Sequence, residues 1–183
     1  SLTSDTTVPT VIEAQADLGN ISDESIFIAD DSIVTLYEIN GTKLNANPVA
    51  HRFGLDLQPM PAIPFVNVDY RITDATALDE QNRFWAINYF YTGEPYFKPE
   101  SDPIAQQYGE GASARRYEHV ERLIEFQYSQ DGITRIDQPP LYLKLNSLEH
   151  NWEGIVRLDN RGFLITTDKF PGTLLGFVPH RKQ

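Results

Sequence analysis

Short runs of alternating residues, separated by Gly or Pro every few positions, constrain the fold of this chain more than any other feature. Residues 49–57, 124–128 and 141–145 each place apolar or ring-bearing side chains at every second position. Because side chains alternate between the two faces of a strand, this period of two is typical of β-strands. The Asn-Gly and Asp-Gly pairs between such runs are typical of hairpin turns. The sequence therefore predicts an all-β chain.

Residues 91–119 break this pattern. The segment has no strand signal, is rich in Pro and Gly, and is longer than an ordinary loop. Two interpretations stay open for it, a surface excursion and a functional lid or rim. A short helix is predicted around residues 112–120.

Three segments of the chain resemble one another. They are residues 21–26, 72–77 and 150–155, and each precedes an apolar strand that closes on Asp30, Asn88 or Asp168. In the first copy, residues 22–29 would have to hold two strands. The second copy predicts four successive strands, at 73–79, 83–90, 120–128 and 133–145. Since four antiparallel strands form the blade of a β-propeller, we expect about three such blades.

The repeats predict a single partial propeller domain over residues 1–183. Residues 1–20 are a lead-in or supply an outer closing strand from residues 8–14. The blades are predicted at 21–65, at 66–146 with the 91–119 insertion, and at 147–183. Propellers typically contain four to eight blades, so three blades leave the ring open. We therefore expect the chain to associate with a missing N-terminal half of the same protein or with a second copy, giving about six blades.

Two sequence elements resemble the esterase-like phytase family of six-bladed propellers. One is Asn151-Trp152-Glu153-Gly154-Ile155 followed by residues 159–168, and the other is residues 72–79 followed by 83–88. The resemblance implies the C-terminal half of a bacterial protein located outside the cytoplasm, secreted or periplasmic. It also implies Ca²⁺-assisted hydrolysis of phosphate or other esters. Trp152, where that family usually has Leu or Phe, and the 91–119 insertion depart from the family pattern.

The repeat predicts a cluster of acidic side chains on one side of the disc. The start of one strand and the end of the next lie at the same edge of an antiparallel pair, so the residues at these positions share that edge. Such carboxylates repel one another unless they are protonated or neutralised by a cation. The chain has no Cys, and oxygen ligands suit Ca²⁺. The predicted Ca²⁺ ligands are Glu24, Asp74, Glu153 and Asp168.

The alternative for the strand-end residues is structural, because Asp and Asn commonly cap turns by accepting backbone N–H bonds. It applies to Asp30, Asn88 and Asp168. Trp152 is expected to pack in the core.

Acid–base chemistry is assigned to Glu153 and His150. His150 adjoins the Glu153 element and is the best placed of the four histidines. His51 is expected to be a satisfied interior histidine, whereas His119 and His180 are expected to be exposed.

The leading functional hypothesis is a propeller that hydrolyses a small anionic ester with the help of Ca²⁺, and the alternative is a non-catalytic binding or assembly module. With 15 basic and 26 acidic residues, the net charge of −11 argues against binding to nucleic acid or an anionic membrane. No apolar run approaches the ~18 residues of a membrane span.

Overall fold

A computed structural model describes residues 9–169 and 172–180, and it confirms the all-β class. In chain order the strands are β1 (Asp23–Ala29), β2 (Ser32–Tyr37), β3 (Ile39–Asn40), β4 (Val49–Gly54), β5 (Pro59–Pro64), β6 (Val68–Ala75), β7 (Arg83–Phe90), β8 (Val120–Ser129), β9 (Gly132–Arg135), β10 (Leu141–Tyr142), β11 (Trp152–Leu158), β12 (Gly162–Thr167) and β13 (Leu175–Pro179).

The strands form three antiparallel sheets. The first sheet has the order β1-β2-β4-β5, and the third has the order β11-β12-β13. The second has the order β10-β8-β7-β6-β3, and β9 also pairs with β8. Most pairs join strands that are adjacent in sequence, as in a propeller blade, but β3 leaves the first sheet and pairs with β6 of the second. The sheets contain four, six and three strands, and both the propeller blades and their closed ring of about six stay predictions.

The first repeat corrects one sequence-based expectation. Residues 23–29 form the single strand β1, which pairs with β2 through a tight turn at Asp30 and Asp31. Asp30 has a φ of 53°, a left-handed conformation that Asp tolerates and that suits a two-residue hairpin. Asp30 therefore lies at the end of β1 remote from Glu24, and the second strand ends instead at Tyr37, next to Glu38.

Two apolar clusters hold the three sheets together. One packs the inner face of the first sheet on the second and includes Phe27, Phe84 and Phe126; the last two rings are stacked 5.3 Å apart. The other packs the second sheet on the third, with Trp85 and Phe163 rings 5.3 Å apart. Strand β6 contacts both β1 and β11, so the second sheet adjoins the first strand of each of the other two sheets.

Residues 91–119 connect β7 to β8 and contain short helices. These are a 3-10 helix (Pro95–Phe97), α1 (Pro103–Tyr108) and α2 (Ala112–Tyr117). Helix α2 confirms the helix predicted around 112–120. Helix α1 was not predicted, although the Asp102 side chain caps it by accepting hydrogen bonds from the backbone amides of Ile104 and Ala105. In the described part of the chain, no helix is long and apolar enough to cross a membrane.

The lead-in lies along the first sheet without joining it as a strand. Thr10 donates to the carbonyl of Leu57, and the Gln15 amide donates to the carbonyl of Val49. Residues 9–14 of the predicted closing segment have no strand structure, and Val8 lies outside the described residues.

Candidate functional site

A pocket of about 350 Å³ lies where β1, β6 and β11 adjoin. Its charged lining consists of Arg71, His150 and five glutamates, namely Glu24, Glu38, Glu94, Glu149 and Glu153. Tyr89, Phe90 and Tyr91 contribute aromatic surface. Residues from all three sheets and from the 91–119 insertion thus converge on one cavity.

A β-bulge at the start of the first and third sheets places Glu24 and Glu153 in the pocket. The β1–β2 register shifts between Asp23 and Ser25, and the β11–β12 register shifts between Trp152 and Gly154. In each case the extra residue is a glutamate. An inserted residue bends its strand and redirects a side chain, which explains why two repeats deliver equivalent carboxylates.

Glu153 has an unusual proton affinity. Burial raises its pKa to about 7, and the nearby charges of Glu24 and Asp168 add to this effect, whereas Arg71 opposes it. Burial also raises the pKa of Glu24. Around neutral pH Glu153 therefore exists in both protonation states and can donate or accept a proton.

His150 is buried and held by the carboxylate of Glu121. The His150 backbone amide and ring Nδ1 lie 3.3 and 3.2 Å from Glu121 Oε1, and Trp152 Nε1 donates to Glu121 Oε2 at 2.6 Å. Burial raises the pKa of Glu121, and its bonds to Trp152 and His150 oppose that rise. When Glu121 is ionised it accepts hydrogen from Nδ1, which leaves Nε2 of His150 as the proton acceptor.

Arg71 fixes the insertion to the sheet. It pairs with Glu38, and its Nη2 and Nε lie 2.6 and 3.0 Å from Glu94 Oε2. Its guanidinium also lies over the Phe97 ring, 5.0 Å from the ring centre. Because Tyr91 and Glu94 line the pocket and belong to residues 91–119, this segment forms part of the pocket wall.

Four residues of this site were not predicted from the sequence, namely Glu38, Arg71, Glu94 and Glu121. A signal existed for Glu38, because it follows β2 at the position that Asp168 takes after β12. Reading Asp30 and Asp31 as a hairpin turn would have placed it there. Arg71 and Glu94 are 23 residues apart, and nothing local relates them.

The structure brings three of the five predicted site residues together. Glu24, Glu153 and His150 all line the pocket. Asp168 is exposed, and its negative charge contributes to the raised pKa of Glu153. Asp74 lies outside the pocket lining, and its two oxygens accept from the backbone amides of Ala75 and Ile155.

Two further predicted positions have structural contacts. The capping alternative expected Asn88 to accept from backbone N–H groups; instead its side-chain amide donates to the carbonyls of Asp69 and Arg71, and its oxygen accepts from Arg122. His119, expected to be exposed, is instead 1% exposed, because the 91–119 insertion folds back over the start of β8.

Across residues 9–169 and 172–180, no group of three or more His, Asp or Glu side chains is arranged to hold a metal ion. Ca²⁺ requires six to eight oxygen ligands. Glu24 and Glu153 are the two predicted ligands that line the pocket, and Ca²⁺ binding stays a prediction that rests on this pair.

No protein-family model, curated protein or solved structure matches this chain. The relation to the esterase-like phytase family accordingly stays a prediction from the sequence.

Proposed function

We propose that the pocket is a hydrolytic site for a small ester, with His150 as general base and Glu153 as general acid. One observation carries the proposal: a carboxylic acid with a pKa of about 7 and a histidine held by a buried carboxylate line the same cavity. Paired groups of this kind are what acid–base catalysis near neutral pH requires.

Each group has a definite role in the proposed reaction. Water attacks the acyl or phosphoryl centre while Nε2 of His150 takes its proton. The bond to the leaving oxygen breaks, and protonated Glu153 gives that oxygen its proton. Glu121 keeps His150 in the tautomer that accepts at Nε2. Ester and water thus become acid and alcohol.

Charge determines where Ca²⁺ belongs in this proposal. Five glutamates and one arginine line the pocket, so an anionic phosphate ester is repelled unless a cation offsets the charge. Glu24 and Glu153 are the residues that would hold Ca²⁺; Glu153 would then be ionised, and the bound ion would replace it in stabilising the leaving oxygen. When bound, the ion supplies charge that stabilises the developing oxyanion. A neutral carboxylic ester needs no such cation.

The test is hydrolysis of fluorogenic carboxylic and phosphate esters after EDTA treatment, with and without millimolar Ca²⁺. Glu153→Gln and His150→Gln should each lower kcat by about 10²-fold or more, with circular dichroism verifying that the variants are folded. Glu80→Gln, at an exposed residue in the β6–β7 connection, is the matched control and should leave the rate unchanged. Absence of hydrolysis for every ester would refute the proposal.

The alternative function, a binding or assembly module, is favoured by the faces of the two end sheets. On the third sheet Val156, Leu164 and Phe177 form one cross-strand row, and Val156 and Phe177 are 56% and 52% exposed. On the first sheet Ile26 and Ile28 project outward at 62% and 54% exposure. Soluble monomers rarely expose large contiguous apolar patches.

We infer that another sheet of the same kind covers each of these faces, in a second copy or in the proposed N-terminal half. The packing of the first sheet on the second provides the example. Light scattering should give at least twice the monomer mass, and Phe177→Asp should reduce it. Leu55→Asp, at an exposed residue in the β4–β5 turn, is the control. A stable, cooperatively melting monomer would contradict this inference. Location outside the cytoplasm belongs to the same set of proposals.

A further inference from the structure

We propose that the pocket binds a small molecule through a primary ammonium group, which lies against Glu38, Glu24 and Glu153. The inference concerns the same pocket as the proposed hydrolase and names the chemical class of its ligand. It rests on charge and hydrogen bonding alone, so binding can be measured without turnover.

The pocket has more negative charge than its own cation can balance. Arg71 is the arginine in the lining, and its guanidinium is already engaged by Glu38 Oε1 and by both oxygens of Glu94. Among the described residues, neither Glu24 nor Glu153 has a basic partner within ion-pair distance. Above pH 7, where Glu153 is ionised, two carboxylates therefore face the cavity without an ion-pair partner among the described residues.

Glu38 supplies a second, independent observation. Its side chain is 1% exposed, and its Oε2 atom is buried with no hydrogen-bond partner in the part of the chain that the structure describes. A buried carboxylate oxygen without a donor is costly, and such atoms are rare in folded proteins. Glu38 is one of the residues that line the pocket, and we infer that a ligand N–H bound against it donates to this oxygen.

The number of free oxygens selects the type of cation. A guanidinium pairs best with both oxygens of one carboxylate, but Glu38 has only Oε2 left. An ammonium group is compact and has three N–H donors, so it can reach single oxygens of several carboxylates. A quaternary ammonium has no N–H to donate. Tyr89 and Tyr91 add ring surface that attracts a cation.

The size of the cavity limits the rest of the ligand. A volume of about 350 Å³ is at the lower end of the range for small-molecule sites. The ligand class is therefore a small amine. Combined with the proposed chemistry, the substrate would be an amine-bearing ester whose ammonium lies against Glu38 and Glu24 while protonated Glu153 serves the leaving oxygen.

The experiment is isothermal titration of the full chain at pH 8 with n-butylammonium, after EDTA treatment and at constant ionic strength. The comparison probes are n-butanol, methylguanidinium, tetramethylammonium and Ca²⁺. We expect the affinity for n-butylammonium to exceed that for each organic probe by about tenfold or more, because hydrogen bonds to charged groups are stronger than those between neutral groups. Glu38→Gln and Glu24→Gln should each weaken its binding about tenfold, whereas the exposed Glu80→Gln should not change it.

Each outcome decides the inference. Equal binding of n-butylammonium and n-butanol, binding of Ca²⁺ without the amine, or equal weakening by Glu38→Gln and Glu80→Gln overturns it. If Glu38→Gln does not fold, Glu24→Gln gives the answer. Amine binding without hydrolysis of any ester would retain this inference and reject the proposed hydrolase. Hydrolysis without amine binding would reject this inference and retain the proposed hydrolase.

Discussion

Replacement of Glu153 by Gln should stabilise the protein increasingly as the pH rises from 5 to 8. The folded-state pKa of Glu153 is raised from its ordinary value of 4.5 to about 7. Between these values the folded chain keeps a proton that the unfolded chain releases, so stability falls as the pH rises through this window. Above pH 7 the ionised carboxylate is held close to Glu24 and Asp168. Gln has a similar shape and no charge, so the variant escapes this loss.

The magnitude follows from the same two pKa values. Each pKa unit corresponds to about 1.36 kcal/mol, so the full difference would amount to about 3 kcal/mol. Glu153 is only half-buried, and solvent screening reduces the expected gain to about 1–2 kcal/mol at pH 8. For a domain of this size, 1 kcal/mol shifts Tm by roughly 2–4 °C. The variant should therefore melt about 2–8 °C higher than the wild type at pH 8, and by much less at pH 5.

Thermal melts followed by circular dichroism at pH 5, 6, 7 and 8 measure this gradient. Glu24→Gln should reproduce part of it, because the charge of Glu24 contributes to the raised pKa of Glu153. Glu80→Gln is the control, since Glu80 is exposed. A shift of equal size at every pH, or a loss of stability at pH 8, would refute the reasoning.

Three further changes test the packing around the site. Asp74→Ala should cost about 1–3 kcal/mol in urea unfolding, because it leaves two backbone amides without their acceptor, and a change below about 0.5 kcal/mol would contradict this role. Arg122→Leu should cost about 3–5 kcal/mol, because the 1%-exposed guanidinium pairs with Asp102 at 2.7 Å and the carboxylate would lose that partner; unchanged urea unfolding would argue against the pair. Gly162→Ala should lower Tm by several degrees, because φ is 150° and a Cβ would lie 2.1 Å from the Val178 carbonyl oxygen; an unaltered melt would be inconsistent with the β12–β13 register.

The strands and the repeat could be predicted because their signals are local. The alternation in residues 49–57 and 124–128 reflects which side chains face the core, and most of the predicted strands are present in the structure. The repeat predicted that Glu24 and Glu153 occupy equivalent positions, and both lie near the start of their strands, β1 and β11. The first copy was misdivided because a seven-residue strand and its two-residue turn were read as two strands.

The burial of polar residues could not be predicted from this alternation. Glu121 and Arg122 are consecutive on β8, so a strand with one solvent-exposed face would expose one of the two side chains. Both are buried, because β8 runs through the middle of its sheet and has neighbours on both faces. Which polar side chain is buried depends on what covers each face, and the covering elements come from distant parts of the chain.

The sequence by itself determined the all-β class, the repeat, and the carboxylates that the repeat brings to one edge. These depend on side-chain period and turn chemistry within about ten residues. Only the tertiary structure decided that Arg71 joins Glu38 to Glu94 across the pocket and that Glu121 lies behind His150. The paired residues are 33, 23 and 29 positions apart, and they meet only when three sheets and the insertion pack together. The same packing raises the proton affinity of Glu153, because burial and neighbouring charge are properties of the folded chain.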